Sequence, residues 1–463
     1  MKTVILTAAF ACLSLVMFAQ ELPGFRTSNY NGVLGIFSNP ANAAQNNYSW
    51  DVSLFTVGIG VGNNNASFSL KNIKELTESD AIIDQLVGNP NQSSTALFGA
   101  DIKPLSILIG LNRKSGIALT TRARVMMNAN DLDGTLGRQI ADQSSQSSFP
   151  YSINSSKDMR VTANAWSEVG LSYGYVLLDK GKHFVKAGIT AKYLAGVANA
   201  YVNINKLNAT LTQDQSTQDV FLNNTTGGLE IGTAGVSLDN FDISELTAFK
   251  STGLGADLGL IYEYRPGASS GDKKTGNQYK FKLGLSLTDI GSIKYEKNMA
   301  NSGGYKIDIT GTEALSLKEL SEQPIDNIKD YLDSKPQFFS QQNSSGNTYN
   351  VSLPSMLNLD VDYKIAKGIY LNGAANVNLV GVSQNKAFNN RYFDTYSVTP
   401  RIESKSFGIF VPVSYNALTD MNAGLALKVG PLFLGSGSII TAAMSESKQA
   451  DFFFGLRFGS FVK

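Results

Sequence analysis

Most of the chain after residue 50 alternates apolar and polar side chains with a period of two, the pattern of a β-strand whose two faces meet different surroundings. In residues 116–128, for example, Ile117 and Leu119 fall on one face, whereas Arg122 and Arg124 fall on the other. Thirteen more segments show the same alternation: 50–70, 96–111, 158–177, 183–205, 250–265, 277–290, 353–365, 368–381, 394–403, 406–415, 421–429, 431–441 and 450–463. The pattern therefore predicts fourteen strands.

The connections between these segments alternate between short turns and long polar loops. This alternation holds if residues 50–70 form one strand with an irregularity near Leu54–Phe55, whereas a hairpin there would make the number of strands odd. An even number of antiparallel strands with short turns at one end is typical of transmembrane barrels, while a soluble sandwich would bury its apolar faces. We predict an all-β fold, a transmembrane antiparallel β-barrel of about 14 strands over residues 50–463.

Charged side chains in the predicted strands avoid the apolar face, as expected if that face meets lipid, where a Lys or Arg costs about 2–4 kcal/mol at mid-membrane. The candidate lumen charges are Arg122, Arg124, Glu168, Lys186, Lys192, Asp257, Glu263, Lys280, Lys282, Asp360, Asp362, Lys428 and Arg457. Their mixed signs favour pairing with one another or with a plug, since a pore for one ion usually shows one dominant sign. A polar conduction path is the alternative.

The N-terminus has the features of an export signal, with Lys2 followed by an apolar run over residues 4–18, and we predict cleavage after Ala19. A lipoprotein signal ending at Cys12 is the less favoured alternative, because the apolar run continues beyond that cysteine. Residues 20–49 then precede the first strand and are a candidate plug or hatch. No later apolar run reaches about 18 residues, so the pattern predicts no transmembrane helix.

Three of the long loops carry apolar residues at helical spacing, over 71–86, 243–249 and 313–332, and we predict short helices there. Residues 142–148 and 340–347 are rich in Gln, Ser and Asn and are predicted to be mobile.

The sequence offers little for catalysis or metal binding. The one histidine, His183, follows a tight turn, and a rim position does not suit a catalytic triad or a histidine-rich metal site. Glycines in 253–259 lie within a strand rather than before a helix, so they do not form a nucleotide loop. The stretch 130–134 has only part of a calcium loop. A net charge of +1 gives no case for nucleic acid. We predict no catalytic residue, metal or cofactor, although a site built only of lumen carboxylates stays open.

The segment 22–44, LPGFRTSNYNGVLGIFSNPANAA, resembles the N-terminal hatch of the long-chain fatty-acid transporter family of outer-membrane proteins through Asn39, Pro40 and Ala41. That resemblance implies fourteen strands, a plug inside the lumen, a location in outer-membrane lipid and a hydrophobic ligand. It implies a hatch role for these three residues and extends to no ligand-contacting residue.

A closer resemblance covers nearly the whole chain. Residues 166–196, 281–295, 353–365 and 430–440 are similar to an uncharacterised family of Bacteroidota outer-membrane barrels. Two hypotheses for function follow. The first is a passive transporter of hydrophobic or amphipathic small molecules, gated by residues 21–49. The second is a structural or partner-binding barrel, at the cell surface or within a secretion machine, that binds proteins through its long extracellular loops.

Overall fold

A computed structural model describes residues 22–462 except 68, 71–92, 142–147, 156, 237–250, 268–277, 325–326, 343–345, 382–385 and 387. The predicted signal and the predicted helices at 71–86 and 243–249 lie outside these residues. The chain forms a closed antiparallel barrel of fourteen strands, which confirms the predicted architecture. The strands are β1 (Tyr48–Asn63), β2 (Ser93–Lys103 and Ser106–Gly110), β3 (Ser115–Asp133), β4 (Met159–Lys180), β5 (His183–Gln213), β6 (Ser251–Tyr264), β7 (Phe281–Glu296), β8 (Met356–Ala366), β9 (Ile369–Asn378), β10 (Thr395–Glu403), β11 (Phe407–Phe410 and Val413–Asn416), β12 (Asp420–Ala423 and Leu425–Val429), β13 (Leu432–Ser436) and β14 (Gln449–Phe461).

The barrel closes where β14 pairs with β1, from Tyr48 opposite Phe461 to Gly62 opposite Gln449. The register of this pair shifts between Ser53 and Phe55. The predicted irregularity in one long first strand is therefore confirmed, and with it the even number of strands. We call the end with the short turns the turn end and the other end the loop end.

The two faces of the wall differ as the period-two pattern predicts. On the outside, Leu254 is 74 % exposed and Leu171 is 61 % exposed, whereas Asp257 and Glu168 on the same strands are buried in the lumen. Tyr279 belongs to the predicted strand 277–290, but it is buried inside the barrel because it precedes the first ladder residue of β7. Among the described residues, none of the helices is long and apolar enough to cross a membrane.

Beyond the loop end, the connections form a second layer of structure around their own apolar core. It contains the strands Tyr151–Asn154, Val220–Gly235, Gly303–Ile309, Leu315–Ser316, Phe339–Gln342 and Thr348–Ser352, and the helices Gly134–Ala141, Leu317–Ser321 and Ile328–Asp333. We call this the loop-end layer. The helical prediction for 313–332 is confirmed as two short helices. The prediction of mobility for 340–347 is wrong at its start, where the strand Phe339–Gln342 pairs with Gly303–Ile309.

Residues 22–47 lie inside the barrel as a chain of short helical turns, and we call them the plug. The turns are Phe25–Thr27, Gly32–Leu34, Gly35–Ser38 and Pro40–Ala43. Phe25 is fully buried and stacks on Phe433 with ring centroids 4.5 Å apart. The plug therefore packs against inward-facing side chains of the wall.

One strand is shorter than predicted. The pattern predicts a strand to residue 441, but β13 ends at Ser436 and a helix follows over Ile439–Met444, which we call the wall helix. The chain turns there because the buried Asp451 of β14 accepts hydrogen bonds from the Gly437 amide and, at 2.6 Å, from the Ser438 hydroxyl. Residues 420–423 of β12 consequently lack a β13 partner.

Candidate functional site

The predicted hatch residues lie against the inner wall near the turn end. The Asn39 side chain donates to the main-chain oxygens of Leu260 in β6 (3.3 Å) and Leu285 in β7 (3.2 Å). Its own oxygen accepts from the Ala41 amide at 3.0 Å, so it also caps the turn that begins at Pro40. A single side chain thus joins two strands of the wall to the plug.

A row of glycines makes room for this segment. The row consists of glycines that lie opposite one another on four neighbouring strands: Gly116, Gly174, Gly188 and Gly259. A Cβ atom on Gly174 would lie 2.5 Å from the Ala44 nitrogen and 3.0 Å from the Ala43 carbonyl carbon, closer than any real Cβ contact. The row therefore allows main chain to lie directly on main chain. Gly259 belongs to the segment 253–259, whose glycines were predicted to lie within a strand.

Charged side chains of the wall hold the rest of the plug. Glu403 accepts hydrogen bonds from the Ser28 hydroxyl (2.6 Å) and from the amide (3.2 Å) and side chain (2.9 Å) of Asn29. Lys186 donates to the Ala44 oxygen at 2.9 Å. Arg457 donates to the Tyr30 oxygen and pairs with Asp51, and that carboxylate accepts from the Val33 amide at 2.7 Å.

Above the plug, five of the predicted lumen charges converge in one buried network: Arg122, Arg124, Glu168, Lys192 and Asp257. Three groups that the sequence analysis missed complete it: Asp101, Lys103 and Asp289. Arg124 pairs with Glu168 at 3.0 Å and with Asp289 at 2.7 Å, and Lys192 reaches Asp257 at 2.8 Å and Asp289 at 2.6 Å. The network contains four cations and four carboxylates, so it is formally neutral.

Asp289 was missed because the alternation breaks where it lies. The register of β6 and β7 shifts between Leu287 and Ile290, and Asp289 has a φ of 58° within that bulge. The bulge turns the carboxylate into the lumen and lets its amide donate to Asp257 at 2.7 Å. Asp101 and Lys103 lie at alternate positions of β2, and that spacing was the available signal.

Five further predicted lumen charges also have polar partners. Near the plug, Glu263 pairs with Arg265, and Asp362 binds Arg401 at 2.6 Å and Lys282 at 3.7 Å. Asp360 accepts from Asn372 at 2.6 Å, and Lys428 donates to the Lys405 oxygen at 2.6 Å.

The prediction that Lys280 faces the lumen is wrong. It precedes the first residue of β7, and its Nζ lies 4.5 Å from the ring centre of the outward-facing Tyr363 rather than in the lumen. The alternation does not extend to it, because Tyr279 and Lys282 both point inward.

A loop between β9 and β10 enters the lumen above the ion network. Its residues 388–393 form what we call the inserted loop. The Asn390 side chain donates to the main-chain oxygens of Met126 (3.2 Å) and Thr162 (3.1 Å) and to Asn128 (3.1 Å). A cavity of about 80 Å³ separates Tyr392 and Phe393 of this loop from the start of the plug. The lumen is thus occupied at two levels.

The loop-end layer encloses an apolar cavity of about 200 Å³. Its lining comes from β4, β5, the strands Val220–Gly235 and Gly303–Ile309, and the helices Leu317–Ser321 and Ile328–Asp333, and includes Leu207, Leu222, Leu229, Ile231, Ile307 and Leu332. Among the described residues that line it, none carries a charge. This cavity was not predicted, because the rest of its wall comes from segments assigned to polar loops, such as Val220–Gly235 and Gly303–Ile309.

An aromatic cluster, Tyr201, Tyr295, Tyr349 and Phe388, lies beside this cavity. Tyr201 lines the cavity, and its ring centre lies 5.8 Å from those of both Phe388 and Tyr349. Phe388 belongs to the inserted loop, so its contact with Tyr201 connects that loop to the cavity lining.

Asp333 ends a helix that borders the cavity and ties it to the strands below. It accepts hydrogen bonds from Lys329 (2.6 Å), Gln341 (2.7 Å) and Tyr305 (2.8 Å). Partial burial would raise the pKa of Asp333, but these hydrogen bonds outweigh it and hold the pKa below its ordinary value.

His183 lies at the turn end, where its Nδ1 is 2.8 Å from the Tyr262 hydroxyl. In the part of the chain that the structure describes, no cluster of His, Cys, Asp or Glu side chains has the form of a metal site.

The chain belongs to a family of unknown function, DUF5723, whose model matches residues 40–437. No curated protein matches it. Solved structures with a similar barrel include a monoaromatic hydrocarbon channel, TodX, in a deletion mutant, at 12 % identity and a TM-score of 0.46 over 97 % of this chain and 98 % of the other. A Pseudomonas aeruginosa FadL homologue has 9 % identity and a TM-score of 0.44 over 95 % and 96 %. The Ralstonia pickettii toluene transporter TbuX has 10 % identity and a TM-score of 0.41 over 93 % and 94 %. Likeness at this level concerns the barrel alone.

Proposed function

We propose that this protein lies in the outer membrane, with its loop end facing outward, and passively carries small hydrophobic or amphipathic molecules inward. The observation that carries the proposal is the apolar cavity of about 200 Å³ in the loop-end layer. Burial of carbon surface from water is favourable by roughly 25 cal/mol per Å², so an apolar cavity holds hydrophobic solutes that reach it.

The proposed path runs from this cavity past the aromatic cluster, along the inserted loop, and then to the plug. The plug packs on an apolar cluster of the wall through Phe25, and both barriers are also held by hydrogen bonds and ion pairs, as at Asn390 and Glu403. Such contacts can exchange partners one at a time, which suits a gate. The charges of the central network are paired with one another, so we assign them to holding the wall and not to conducting ions.

Uptake of radiolabelled hydrophobic solutes by cells that express the barrel tests this function. Ala200 lines the cavity, and Ala200→Phe should fill it and slow uptake to the rate of cells without the protein. Ala187→Phe on the same strand is the matched control, because Ala187 faces outward between Tyr175 and Leu260. Equal uptake by wild-type and Ala200→Phe cells would refute the proposal. If uptake were equal and a stable protein partner co-purified with the barrel, the partner-binding hypothesis would be favoured.

A further inference from the structure

We infer that the apolar cavity selects uncharged, compact ligands of about one ring and rejects molecules that carry a carboxylate. This inference rests on the proposed function and narrows it, since that function includes amphipathic molecules. Its basis is the lining of the cavity, its volume and the pairing of the charges around it.

The lining offers nothing that could neutralise a ligand charge. The polar groups among the described lining residues are Tyr201, Thr225, Thr233 and Asn301. The Tyr201 hydroxyl already bonds Glu230 at 3.0 Å, and the Thr225 hydroxyl bonds the Asn223 oxygen at 2.9 Å. The Thr233 hydroxyl is buried without a hydrogen-bond partner, but it carries no charge. A carboxylate that entered the cavity would lose its hydration without gaining a cation, which is strongly unfavourable.

The lysines near the bordering helices are paired as well. Lys335 lies 2.9 Å from Glu319, and Lys318 lies 3.8 Å from Asp219. Neither of these lysines is without a carboxylate partner, so a head group kept outside the cavity gains no unpaired cation from them. The described surroundings therefore favour a ligand without a charged head group.

The volume sets the size of the ligand. An apolar cavity of about 150 Å³ engineered into another protein stays dry and binds benzene or xenon. The cavity here, at about 200 Å³, is slightly larger. It accommodates one ring with a short substituent, and its dry carbon lining provides the contacts that such a ring needs.

A pair of fluorinated rings that differ in one charged group tests this inference. The probes are fluorobenzene and 4-fluorobenzoate at pH 7.5, followed by ¹⁹F NMR with the full-length barrel in lipid nanodiscs. We expect a resonance of bound fluorobenzene that is distinct from the resonance of probe dissolved in lipid. We expect 4-fluorobenzoate to bind at least ~100-fold more weakly than fluorobenzene. The bound resonance should vanish in Ala200→Phe and persist in Ala187→Phe.

A second substitution tests the role of charge without filling the cavity. Leu320 lines the cavity and is half-buried, so a lysine there places an ammonium group at its border. Leu320→Lys should strengthen binding of 4-fluorobenzoate at least ~10-fold, whereas Met299→Lys, at an exposed site of the loop end outside the lining, should not.

The outcomes separate this inference from the proposed function. Equal affinity for the two probes would overturn the selection against charge and leave hydrophobic transport standing. Binding of dodecanoate, but of neither ring, would overturn both the size and the charge selectivity while transport still stood. If the wild-type barrel bound none of the three and took up no hydrophobic solute, both proposals would fall.

Discussion

Replacing Gly174 by alanine should detach the plug from the wall. The added Cβ would lie 2.5 Å from the Ala44 nitrogen, and ordinary contacts begin near 3.4 Å, so the plug must move by roughly 0.9 Å. That movement stretches the hydrogen bond from Lys186 to the Ala44 oxygen, now 2.9 Å, beyond hydrogen-bond range.

The magnitude follows from two contributions. Overpacking costs about 1–3 kcal/mol, and loss of a hydrogen bond from a charged donor costs about 1.5–3 kcal/mol. The preference of alanine over glycine in a strand does not enter, because β4 is formed whether or not the plug is docked. The net loss of plug docking is about 2.5–6 kcal/mol, which raises the population of the undocked plug about 60- to 20,000-fold at 1.4 kcal/mol per factor of ten.

Thiol labelling measures that population, because the single natural cysteine, Cys12, lies in the predicted signal. A Ser38→Cys background places a thiol on the plug, and a large maleimide reagent should modify it only when the plug undocks. Gly373→Ala is the control, since its added Cβ meets no atom within 4 Å. If Gly174→Ala and Gly373→Ala were labelled at the same rate, the account of the glycine row would be wrong.

Three further predictions concern other parts of the molecule. Arg124→Leu leaves Glu168 and Asp289 without this partner and should lower the free energy of unfolding by about 3–5 kcal/mol. Gel-mobility assays should show this loss as a lower unfolding temperature, whereas Lys157→Leu, at an exposed pair, should have almost no effect. Asn390→Ala should free the inserted loop and increase the conductance of planar bilayers, and unchanged conductance would contradict its role as a barrier. Because the pKa of Asp333 is lower in the folded protein, its contribution to stability is full above the unfolded value of about 3.9 and is lost as the pH falls through the folded value. Proteolysis of the loop-end layer should therefore accelerate at low pH, and less so in Asp333→Asn.

The number of strands could be predicted because each strand lies between two different media. Lipid outside and a polar lumen inside make the alternation strict, as Leu171 and Glu168 of β4 show. The prediction failed where the ladder itself is irregular. The bulge at Asp289 and the residues just before β7 shift the alternation, and periodicity alone cannot indicate which way the next side chain points.

The candidate site was less predictable from the sequence. The segment Asn39–Ala41 was singled out through a local motif, whereas the apolar cavity joins segments more than a hundred residues apart, such as Leu207 and Leu332. Alternating apolar residues in 220–235 were the available signal, but they lay in a segment assigned to a long polar loop. Contacts across such distances follow from how the long connections fold over the barrel, which local spacing does not specify.

The short β13 leaves the wall with a seam. Residues 420–423 of β12 face the wall helix, and the Ala423 amide is satisfied by the Thr441 hydroxyl at 2.7 Å rather than by a neighbouring strand. In a paired part of the wall such as β3–β4, two strands can separate only if a row of main-chain hydrogen bonds breaks. At the seam, side-chain hydrogen bonds take the place of that row. Amide hydrogens along this seam should therefore exchange with solvent deuterium sooner than those of the β3–β4 ladder.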